Sequence, residues 1–417
     1  MTQSFAVRTS GLRGPVRLGE RAARALVAEL ARYQGPKTAL LVGVDPGSAV
    51  LAAAIDTLLP GDMLTVVPAD PAGTNALRDQ VAADGRWGAE QVRVVESVEM
   101  ADVAELVIVA EPLVGTTEET RSALDGWAKY LAEGGVLSVA VPAMPGLTSG
   151  AVAELDRQAA LFGVGTDLVL RNRPPVRVHR LRFTPADVAV ANRIAPAWRT
   201  SSVPLTRSMH IDSNGVAAAG IALGLAALAR IARPKSRLWL LPALAAGPIA
   251  AFFRDPERDV PSDESAVVAA SDGRVLSVER LRDERFGDGE FLRIAVFLSV
   301  FDVHVNRSPV AGKVVDYFVT DGGFAAAMKP EAEHNVAAYT VLDTTRGTVV
   351  VAQRTGLIAR RIVQRAPVGT LLARGERFGL IRFGSRTDVY LPADAADPVV
   401  GTGDRVVGGA TVIARWR

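Results

Sequence analysis

Hydrophobic residues in the first 185 positions follow two alternating periodicities. Apolar positions three and four apart predict helices over 20–33, 48–59, 73–83, 116–132 and 150–161. Short continuous apolar runs predict strands over 38–44, 63–67, 92–96, 105–110 and 135–141, with a final pair over 167–171 and 176–183 that could form an antiparallel edge. Helices that alternate with strands are typical of a mostly parallel sheet covered by helices. The pattern therefore predicts a Rossmann-like α/β domain over 1–185.

A polar connector at 186–212 is followed by two long uncharged segments. Residues 215–229 and 238–253 contain no charged side chain. A basic stretch separates them, and both outer flanks are also basic, which places seven cations around the segments: Arg207, Arg230, Arg233, Lys235, Arg237, Arg254 and Arg258. Two apolar segments side by side predict a helical hairpin over 213–253.

The length and charge of this hairpin bear on its relation to a membrane. A 16-residue helix reaches about 24 Å, which is short of the ~30 Å hydrocarbon core of a bilayer. Because the turn and both flanks carry the same charge, the positive-inside rule assigns no orientation. We therefore expect a hairpin that dips into one leaflet, with its basic residues on anionic headgroups. The alternative is a buried helix pair in a soluble domain.

From residue 254 onward the pattern changes to short alternating runs broken by Gly, Asp and Pro. Candidate strands are 266–270, 274–279, 291–299, 311–319, 336–343, 348–353, 357–363, 370–373, 379–383, 387–391 and 405–415. Closely spaced short strands with turn signals indicate a mainly-β barrel or sandwich-like domain over 254–417. The predicted fold class is therefore multidomain, with an α/β domain, a linker, a hairpin and a mainly-β domain.

The composition narrows the chemistry. The chain contains no cysteine, which excludes disulfides, thiolate metal sites and a cysteine nucleophile. A formal net charge of +2 is too balanced for general nucleic-acid binding. Arginines interrupt residues 1–30, where a secretory signal would need an unbroken apolar segment. We therefore expect a protein that starts in the cytoplasm, with no metal site and no nucleic-acid partner.

Five motifs occur in order in the C-terminal part of the chain. They are Phe252-Phe-Arg-Asp-Pro-Glu-Arg258, Ala270-Ser-Asp-Gly-Arg-Val275, Leu298-Ser-Val-Phe-Asp-Val-His-Val-Asn-Arg-Ser-Pro309, Gln353-Arg-Thr-Gly-Leu-Ile-Ala-Arg-Arg-Ile362 and Gly375-Glu-Arg-Phe-Gly-Leu-Ile-Arg-Phe-Gly-Ser-Arg386. Together they resemble the phosphatidylserine decarboxylases, and within that family the shorter prokaryotic type. The resemblance covers about residues 210–417.

This resemblance implies a proenzyme that cuts its own chain between Gly384 and Ser385. In the family, the serine hydroxyl attacks the preceding carbonyl, and elimination and hydrolysis leave a pyruvoyl group at the new N-terminus. The products here would be a β subunit, 1–384, and an α subunit, 385–417, that remain associated. The pyruvoyl ketone would form a Schiff base with phosphatidylserine and accept electrons as CO2 leaves, which yields phosphatidylethanolamine.

A serine nucleophile needs a base in hydrogen-bond reach, and that base needs an orienting group. By the resemblance, His304 is the catalytic histidine and Asp272 is the aspartate of the family's Asp-Gly motif. We therefore expect Asp272, His304 and Ser385 to form the self-cleavage triad, with His304 also donating a proton during decarboxylation. Taken singly, His304 could be a structural histidine and Asp272 a turn residue.

Five further side chains are candidates for contact with the substrate. Arg307 stands where the longer bacterial enzymes have a second histidine, and Arg386 follows the cleavage serine. Either arginine could bind the substrate phosphate or carboxylate, with a surface ion pair as the alternative. Arg254 could contact phosphate at the membrane face, as could Arg258, and His334 aligns with a polar family segment near the site.

Residues 37–141 resemble, less closely, the class I S-adenosylmethionine-dependent methyltransferases. Gly43, Asp45 and Gly47 lie in the first strand-to-helix turn, and Asp70 follows the second strand, where an acid would bind the cofactor ribose. Asp45 departs from the pattern, because the middle glycine usually stands there. The domain is therefore either an active methyltransferase that binds S-adenosylmethionine or a degenerate domain that serves as a scaffold or regulator.

The sequence thus predicts a pyruvoyl-dependent phosphatidylserine decarboxylase at the cytoplasmic face of the cell membrane. Its partners would be the phospholipid membrane and its own second subunit, and the chain could also form a homo-oligomer. One alternative is a bifunctional protein that also methylates phosphatidylethanolamine. Another is a membrane-tethered scaffold whose decarboxylase domain does not mature.

Overall fold

A computed structural model of the chain describes residues 16–88, 90–144, 149–197, 202–206, 208–357, 361–382 and 385–417. The chain divides into two compact units, of which the first ends at Thr200 and the second begins at Ser201. This boundary lies within the connector expected at 186–212. There the structure has a 3-10 helix at Val188–Arg193 and, in the second unit, two short strands.

The N-terminal unit is a doubly wound α/β sheet. Its helices are α1 (Glu20–Leu26), α2 (Ala28–Arg32), α3 (Ala49–Thr57), α4 (Thr74–Asp84), α5 (Thr117–Ala128) and α6 (Gly150–Phe162). Its strands are β1 (Thr38–Val44), β2 (Met63–Pro68), β3 (Val92–Val94), β4 (Ala104–Val109), β5 (Leu131–Pro142), β6 (Gly163–Val169) and β7 (Val176–Leu181). They lie in the order β3-β2-β1-β4-β5-β7-β6, which confirms the Rossmann-like prediction.

Strand direction follows the apolar pattern. The first five strands are parallel, whereas β7 is antiparallel to both β5 and β6, as expected for the final strand pair. Leu40 and Val107 belong to the core on one face of the sheet, and their neighbours Leu41 and Ile108 are buried as well. Both faces are covered, so the central strands read as continuous apolar runs.

The C-terminal unit joins two helices to an antiparallel β domain. The helices are α7 (Ser213–Ala232) and α8 (Leu240–Phe252). The strands are β8 (Val203–Pro204), β9 (Met209–Ile211), β10 (Arg254–Pro256), β11 (Ala266–Val268), β12 (Gly273–Arg282), β13 (Glu290–Leu298), β14 (Val305–Arg307), β15 (Gly312–Thr320), β16 (Ala337–Thr344), β17 (Gly347–Arg354), β18 (Ile362–Gln364), β19 (Leu371–Leu372), β20 (Arg377–Ile381), β21 (Ser385–Pro392), β22 (Ala396–Pro398), β23 (Arg405–Val406) and β24 (Val412–Trp416).

These strands form one large and three small sheets. The large sheet has the order β19-β15-β16-β17-β21-β13-β12-β23, and the small sheets are β10-β9-β8, β11-β24-β22 and β14-β20-β18. Alternation along β17 shows where the core lies, because Val349 and Val351 face one apolar cluster and Val350 faces a second on the opposite side. Strand β21, which begins at Ser385, is central in this sheet and is therefore buried on both faces.

The expected hairpin is present as α7 packed against α8. Helix α7 has 20 residues, about 30 Å, so the 16-residue length expected from the uncharged segments was too short for it. Among the described residues, α7 is the one helix long and apolar enough to cross a bilayer. Asp212 caps its start by accepting from the backbone N–H of Asn214, and Arg230 lies in its last turn, so the helix extends beyond the uncharged run at both ends.

Gly273 provides a test of the fold beside the site. Its φ is +151°, and a Cβ there would lie 2.1 Å from the carbonyl oxygen of Phe297 on β13. We expect Gly273→Ala to lower the free energy of unfolding by about 3 kcal/mol or more, measured by thermal or urea unfolding. Gly289→Ala is the matched control, because nothing lies within 4 Å of a Cβ at that position. Equal stability of the two variants would contradict this account.

Candidate active site

Ser385 lies at the start of β21, opposite Leu298 at the end of β13. Its side chain is fully buried. Its hydroxyl oxygen makes no hydrogen bond to any of the residues that the structure describes. A buried polar group left unpaired costs about 1–3 kcal/mol, so a functional reason is the first to seek. Gly384, the other residue of the expected cleavage site, lies outside the described residues.

His304 lies at the end of the loop that leaves β13 opposite Ser385. The loop begins after Leu298 and ends where the carbonyl of His304 accepts from the N–H of Ile381 at 3.2 Å. One end of the loop therefore lies opposite Ser385 and the other contacts Ile381. The expected cleavage position lies between these two contacts along the chain. The topology brings the expected base and the expected nucleophile to the same segment.

The imidazole of His304 has a defined tautomer. Its Nδ1 lies 2.9 Å from the carbonyl oxygen of Asp302. A carbonyl only accepts, so Nδ1 carries the proton and Nε2 is the basic nitrogen. Asp302 is itself fixed, because its carboxylate accepts from Ser299 at 2.7 and 2.9 Å and from Arg405 at 2.8 Å. The ring of His304 is buried, which lowers its pKa to about 4 and keeps it neutral near pH 7.

Asp272 approaches the site from β12, but its carboxylate has other partners. It accepts from Arg258 at 2.8 Å and from the backbone N–H of Gly408 at 2.8 Å. The preceding Ser271 hydroxyl lies 2.6 Å from that of Thr387, two residues along β21 from Ser385. The contact that orients His304 at Nδ1 is the Asp302 carbonyl, so the place of Asp272 in the triad stays a prediction. The charge of Arg258 is therefore already paired with a carboxylate.

Arg307 and Arg386 are not positioned as substrate ligands. Arg307 is buried and donates to Asp255 at 3.0 Å and to the carbonyls of Pro256 and Gly375 at 2.8 and 3.1 Å. Neither the open guanidinium that a phosphate needs nor the expected surface ion pair is present. A buried cation already neutralised by a carboxylate has little charge left for a ligand.

Arg386 has the same kind of environment. It is buried and donates to Asp388 at 2.6 Å and to Glu333 at 3.0 Å. His334 is exposed at the end of a 3-10 helix, Pro330–His334, and it is the neighbouring Glu333 that reaches this buried group. The expectation that His334 lies close to the chemistry is therefore not supported by its position.

Arg254 remains the best-placed cation. Its guanidinium donates to the carbonyl oxygens of Ala251, at 3.2 Å, and of Phe301. No carboxylate in the described part of the chain forms an ion pair with it, and its charge contributes to the lowered pKa of His304. Arg254 is therefore an uncompensated positive charge close to the histidine.

Known proteins match the second unit closely. Residues 247–414 match the family model described as phosphatidylserine decarboxylase. A phosphatidylserine decarboxylase proenzyme from Symbiobacterium thermophilum is 50% identical over 182 residues, which cover 42% of this chain and 84% of that relative. The corresponding proenzyme from Geobacter metallireducens is 48% identical over 164 residues, 39% of this chain and 74% of the relative. The chain belongs to the phosphatidylserine decarboxylase family. It is a carboxy-lyase made as a proenzyme.

The decarboxylase domain contains a buried ionic group that the sequence analysis missed. Asp388 is fully buried and accepts from Arg386 and, at 2.8 Å, from Arg354 on β17. Burial alone would raise the pKa of Asp388, but the two arginines hold it below its ordinary value. A charged residue within a predicted strand was the available signal. This ionic group links β21, the first strand of the expected short subunit, to β17 in the rest of the decarboxylase.

The residues expected to bind S-adenosylmethionine lie at one edge of the N-terminal sheet. Gly43 and Gly47 have φ values of +77° and +78°. The N–H of Gly47 donates to the Gln80 side chain at 2.8 Å, and the carboxylate of Asp70 accepts from the N–H of Ala72 at 2.9 Å. Asp45 is exposed beside this turn. Two of the expected ligand groups are thus already engaged within the unit.

Solved structures similar to the N-terminal unit include methyltransferases. TrmN from Thermus thermophilus is 16% identical, with 41% of this chain and 50% of that chain covered and a TM-score of 0.31. A putative O-methyltransferase from Klebsiella pneumoniae is 12% identical, with 39% and 79% covered and a TM-score of 0.28. The assignment of a fold to this unit therefore depends on its own strand order, β3-β2-β1-β4-β5-β7-β6.

If His304 is the base of self-cleavage, its low pKa predicts how the cleavage depends on pH. A base must be unprotonated, and a histidine with a pKa of about 4 stays so well below the ordinary value of about 6.5. We expect the rate of chain cleavage, followed by electrophoresis after synthesis and a pH jump, to change little from pH 8 to about pH 5 and to fall below that. A rate that halves near pH 6.5 would contradict the burial of this base.

Proposed function

We propose that the decarboxylase matures by cutting itself between Gly384 and Ser385 and that Ser385 becomes its pyruvoyl group. The observation that carries this proposal is the buried Ser385 hydroxyl, which has no hydrogen-bond partner among the described residues. Ser385 lies opposite Leu298, where the loop that carries neutral His304 begins. Because no described group holds this hydroxyl, it can turn toward a base and toward the preceding carbonyl. Its burial also keeps water away from the ester that would form.

The proposed maturation uses His304 as the base. Its Nε2 takes the proton of the Ser385 hydroxyl while Oγ attacks the carbonyl carbon of residue 384. The C–N bond then breaks, the proton passes to the departing amide nitrogen, and an ester remains. Loss of the α-proton of residue 385 expels the new carboxylate of residue 384 and leaves a dehydroalanine. Water hydrolyses that group to pyruvoyl and ammonia.

The matured site would combine this group with three features of the chain. The pyruvoyl group supplies a ketone that captures the amine of phosphatidylserine and withdraws electrons as CO2 leaves. The Nε2 of His304 would take a proton that the substrate ammonium releases as it condenses and pass it to the carbon that CO2 leaves. Arg254 binds the substrate phosphate or carboxylate, because it has no carboxylate partner among the described residues and its charge acts on the histidine. The buried pair of Asp388 with Arg354 keeps the short subunit in place.

Intact-mass analysis tests the maturation. The wild-type chain should yield two products, one of them the 33-residue segment 385–417 with a blocked N-terminus. Ser385→Ala should stay uncut and inactive, and His304→Ala should lose cleavage because no other base replaces the imidazole. His334→Ala is the matched control and should be cut normally, because that histidine is exposed. An uncut wild-type chain that still decarboxylates phosphatidylserine would overturn the proposal.

We further propose that the hairpin places this site at a membrane surface. The small residues Gly215, Ala222, Ala226 and Ala246 are buried in the hairpin, whereas most of its leucines and isoleucines are exposed. Ile231, Leu241 and Leu244, for example, are 76%, 68% and 72% exposed. A soluble helix pair would bury its leucines, whereas close packing through small residues with leucine outside is typical of helices in lipid.

The charges favour a hairpin that lies along the membrane surface. Its turn carries four cations, Arg230, Arg233, Lys235 and Arg237, which are costly in hydrocarbon. Helix α8 has 13 residues, about 20 Å, which is too short for the ~30 Å core of a bilayer. An interfacial position allows the leucines to enter the leaflet while the cations contact anionic headgroups. We assign this surface to the cytoplasmic face.

Vesicle binding tests the hairpin. We expect Leu241→Ser with Leu244→Ser to weaken binding to vesicles that contain anionic phospholipid by about tenfold or more, measured by sedimentation, because two leucines lose their apolar contact. The matched control is Leu168→Ser with Leu170→Ser in the N-terminal unit, where the leucines are 41% and 68% exposed. Equal loss in both pairs, or none in the hairpin pair, would count against the proposal.

For the N-terminal unit we propose a scaffold or regulatory role. The engagement of Gly47 and Asp70 within the unit favours this role over an active lipid methyltransferase. The decarboxylase activity does not depend on this choice.

A further inference from the structure

The end of the hairpin contacts the catalytic histidine directly. Phe252 is the last residue of α8, and its ring centroid lies 4.3 Å from that of His304, with the two ring planes tilted by 39°. Phe252 is 8% exposed and His304 is 1% exposed. Two residues further along, Arg254 donates to the carbonyl of Phe301 in the loop that carries the histidine. The hairpin therefore holds this loop at two points.

Phe252 is itself held firmly. It packs edge to face on Phe253 at 5.0 Å and shares a small apolar cluster with Leu380 on β20. Ala218 and Ile249 of the two hairpin helices pack against the same cluster. The ring thus lies between the hairpin and the strand that precedes Ser385.

The start of the hairpin is attached to the same region. Asp212, which caps α7, pairs with Arg365 at 2.5 Å, and Asn214 accepts from Arg382 at 2.6 Å. Arg365 follows β18 and Arg382 follows β20, so both belong to the sheet that also contains β14, the strand after His304. Both ends of the hairpin are therefore joined to the strands around the histidine.

We propose that Phe252 is a positioning residue for the decarboxylase, through which the membrane hairpin covers the His304 imidazole and excludes water from it. This inference rests on the proposed role of His304 as the base. It gives the hairpin a second role, because membrane anchoring alone would not require an aromatic ring packed on the histidine. It also makes the base sensitive to how the end of α8 is seated.

The charges near His304 show what the ring contributes. Burial is the largest cause of the lowered pKa of His304, the charge of Arg254 acts in the same direction, and the carbonyl and carboxylate of Asp302 act against both. Phe252 is the aromatic side chain stacked on the imidazole in the described structure. Without it, water would reach the imidazole and favour the charged form.

Histidine titration by NMR tests the inference. The chain contains only four histidines, and Ser385→Ala is expected to keep it uncut and uniform. His304→Ala in that background identifies the resonance. We expect Phe252→Ala to raise the titration midpoint of His304 by about 1 pH unit or more. Phe252→Leu, which retains an apolar cover, should keep it low. Phe301→Ala is the matched control, because that ring is 82% exposed in the same loop.

Cleavage of the chain with Ser385 intact gives a second readout. If the midpoint of the Phe252→Ala variant rises toward 6.5, only about a tenth of the imidazole is neutral at pH 5.5, so cleavage there should slow roughly tenfold and change little at pH 8. A uniform slowing at both pH values would indicate a structural role and overturn the inference.

The titration and the cleavage experiments test the role of Phe252 and the role of His304 independently. An unchanged midpoint in Phe252→Ala overturns the role of Phe252 even if His304 is the base. Normal cleavage of His304→Ala overturns the base even if Phe252 sets the midpoint. If Phe252→Ala does not fold, Phe252→Val opens a smaller gap and decides by the same criterion, since it should raise the midpoint by a smaller amount.

Discussion

The pairing of β13 with β21 is the constraint on which the active site depends. Ser385 lies opposite Leu298, and the chain leaves β13 at that point and returns with His304 beside Ile381. Successive side chains on a strand point to opposite faces, so a slip of one residue would turn the serine away from the histidine. Asp388 opposes a slip, because it is buried in β21 and is bound by an arginine from β17 as well as by Arg386.

Burial, more than charge, keeps the histidine neutral. Two buried arginines of the domain, Arg307 and Arg386, are each matched by a carboxylate, Asp255 and Asp388. Such pairs contribute little net stability, because desolvation offsets their attraction, but removing one partner is costly, so the geometry is maintained. Arg254 has no carboxylate partner among the described residues, and its charge acts on the histidine. It is the cation that we propose for the anionic lipid.

The hairpin buries small residues and exposes most of its large apolar ones, which is the reverse of the packing in a soluble protein. This packing accounts for its position beside the site. Ala222, Ala226 and Ala246 are buried in it, and most of its leucines are exposed, which the proposed position in lipid explains. Its last residue, Phe252, packs on the imidazole of His304. The part of the chain that we propose to face the membrane is therefore continuous with the candidate active site.

Much of the fold could be predicted from local pattern, because alternation of apolar residues reflects which face of an element is buried. The strand expected at 38–44 is Thr38–Val44, and the helix expected at 150–161 is Gly150–Phe162. The short strands β14 and β22 were not predicted, because three residues carry too little periodicity. The candidate site residues Ser385 and His304 were predicted from their motifs. The contact of the Phe252 ring with His304 was not predicted, although Phe252 begins one of those motifs.

By itself, the sequence determined the order of an α/β unit, an apolar helix pair and a β domain, together with the family. The roles of Ser385 and His304 stay predictions. Only the tertiary structure decided which polar groups were paired. Arg307 looked open to a substrate until Asp255, 52 residues away, was placed against it, and Arg386 until Glu333, 53 residues away, was placed beside it. Periodicity within one element reports burial, but it does not report which distant charge meets it, because that depends on how the strands assemble.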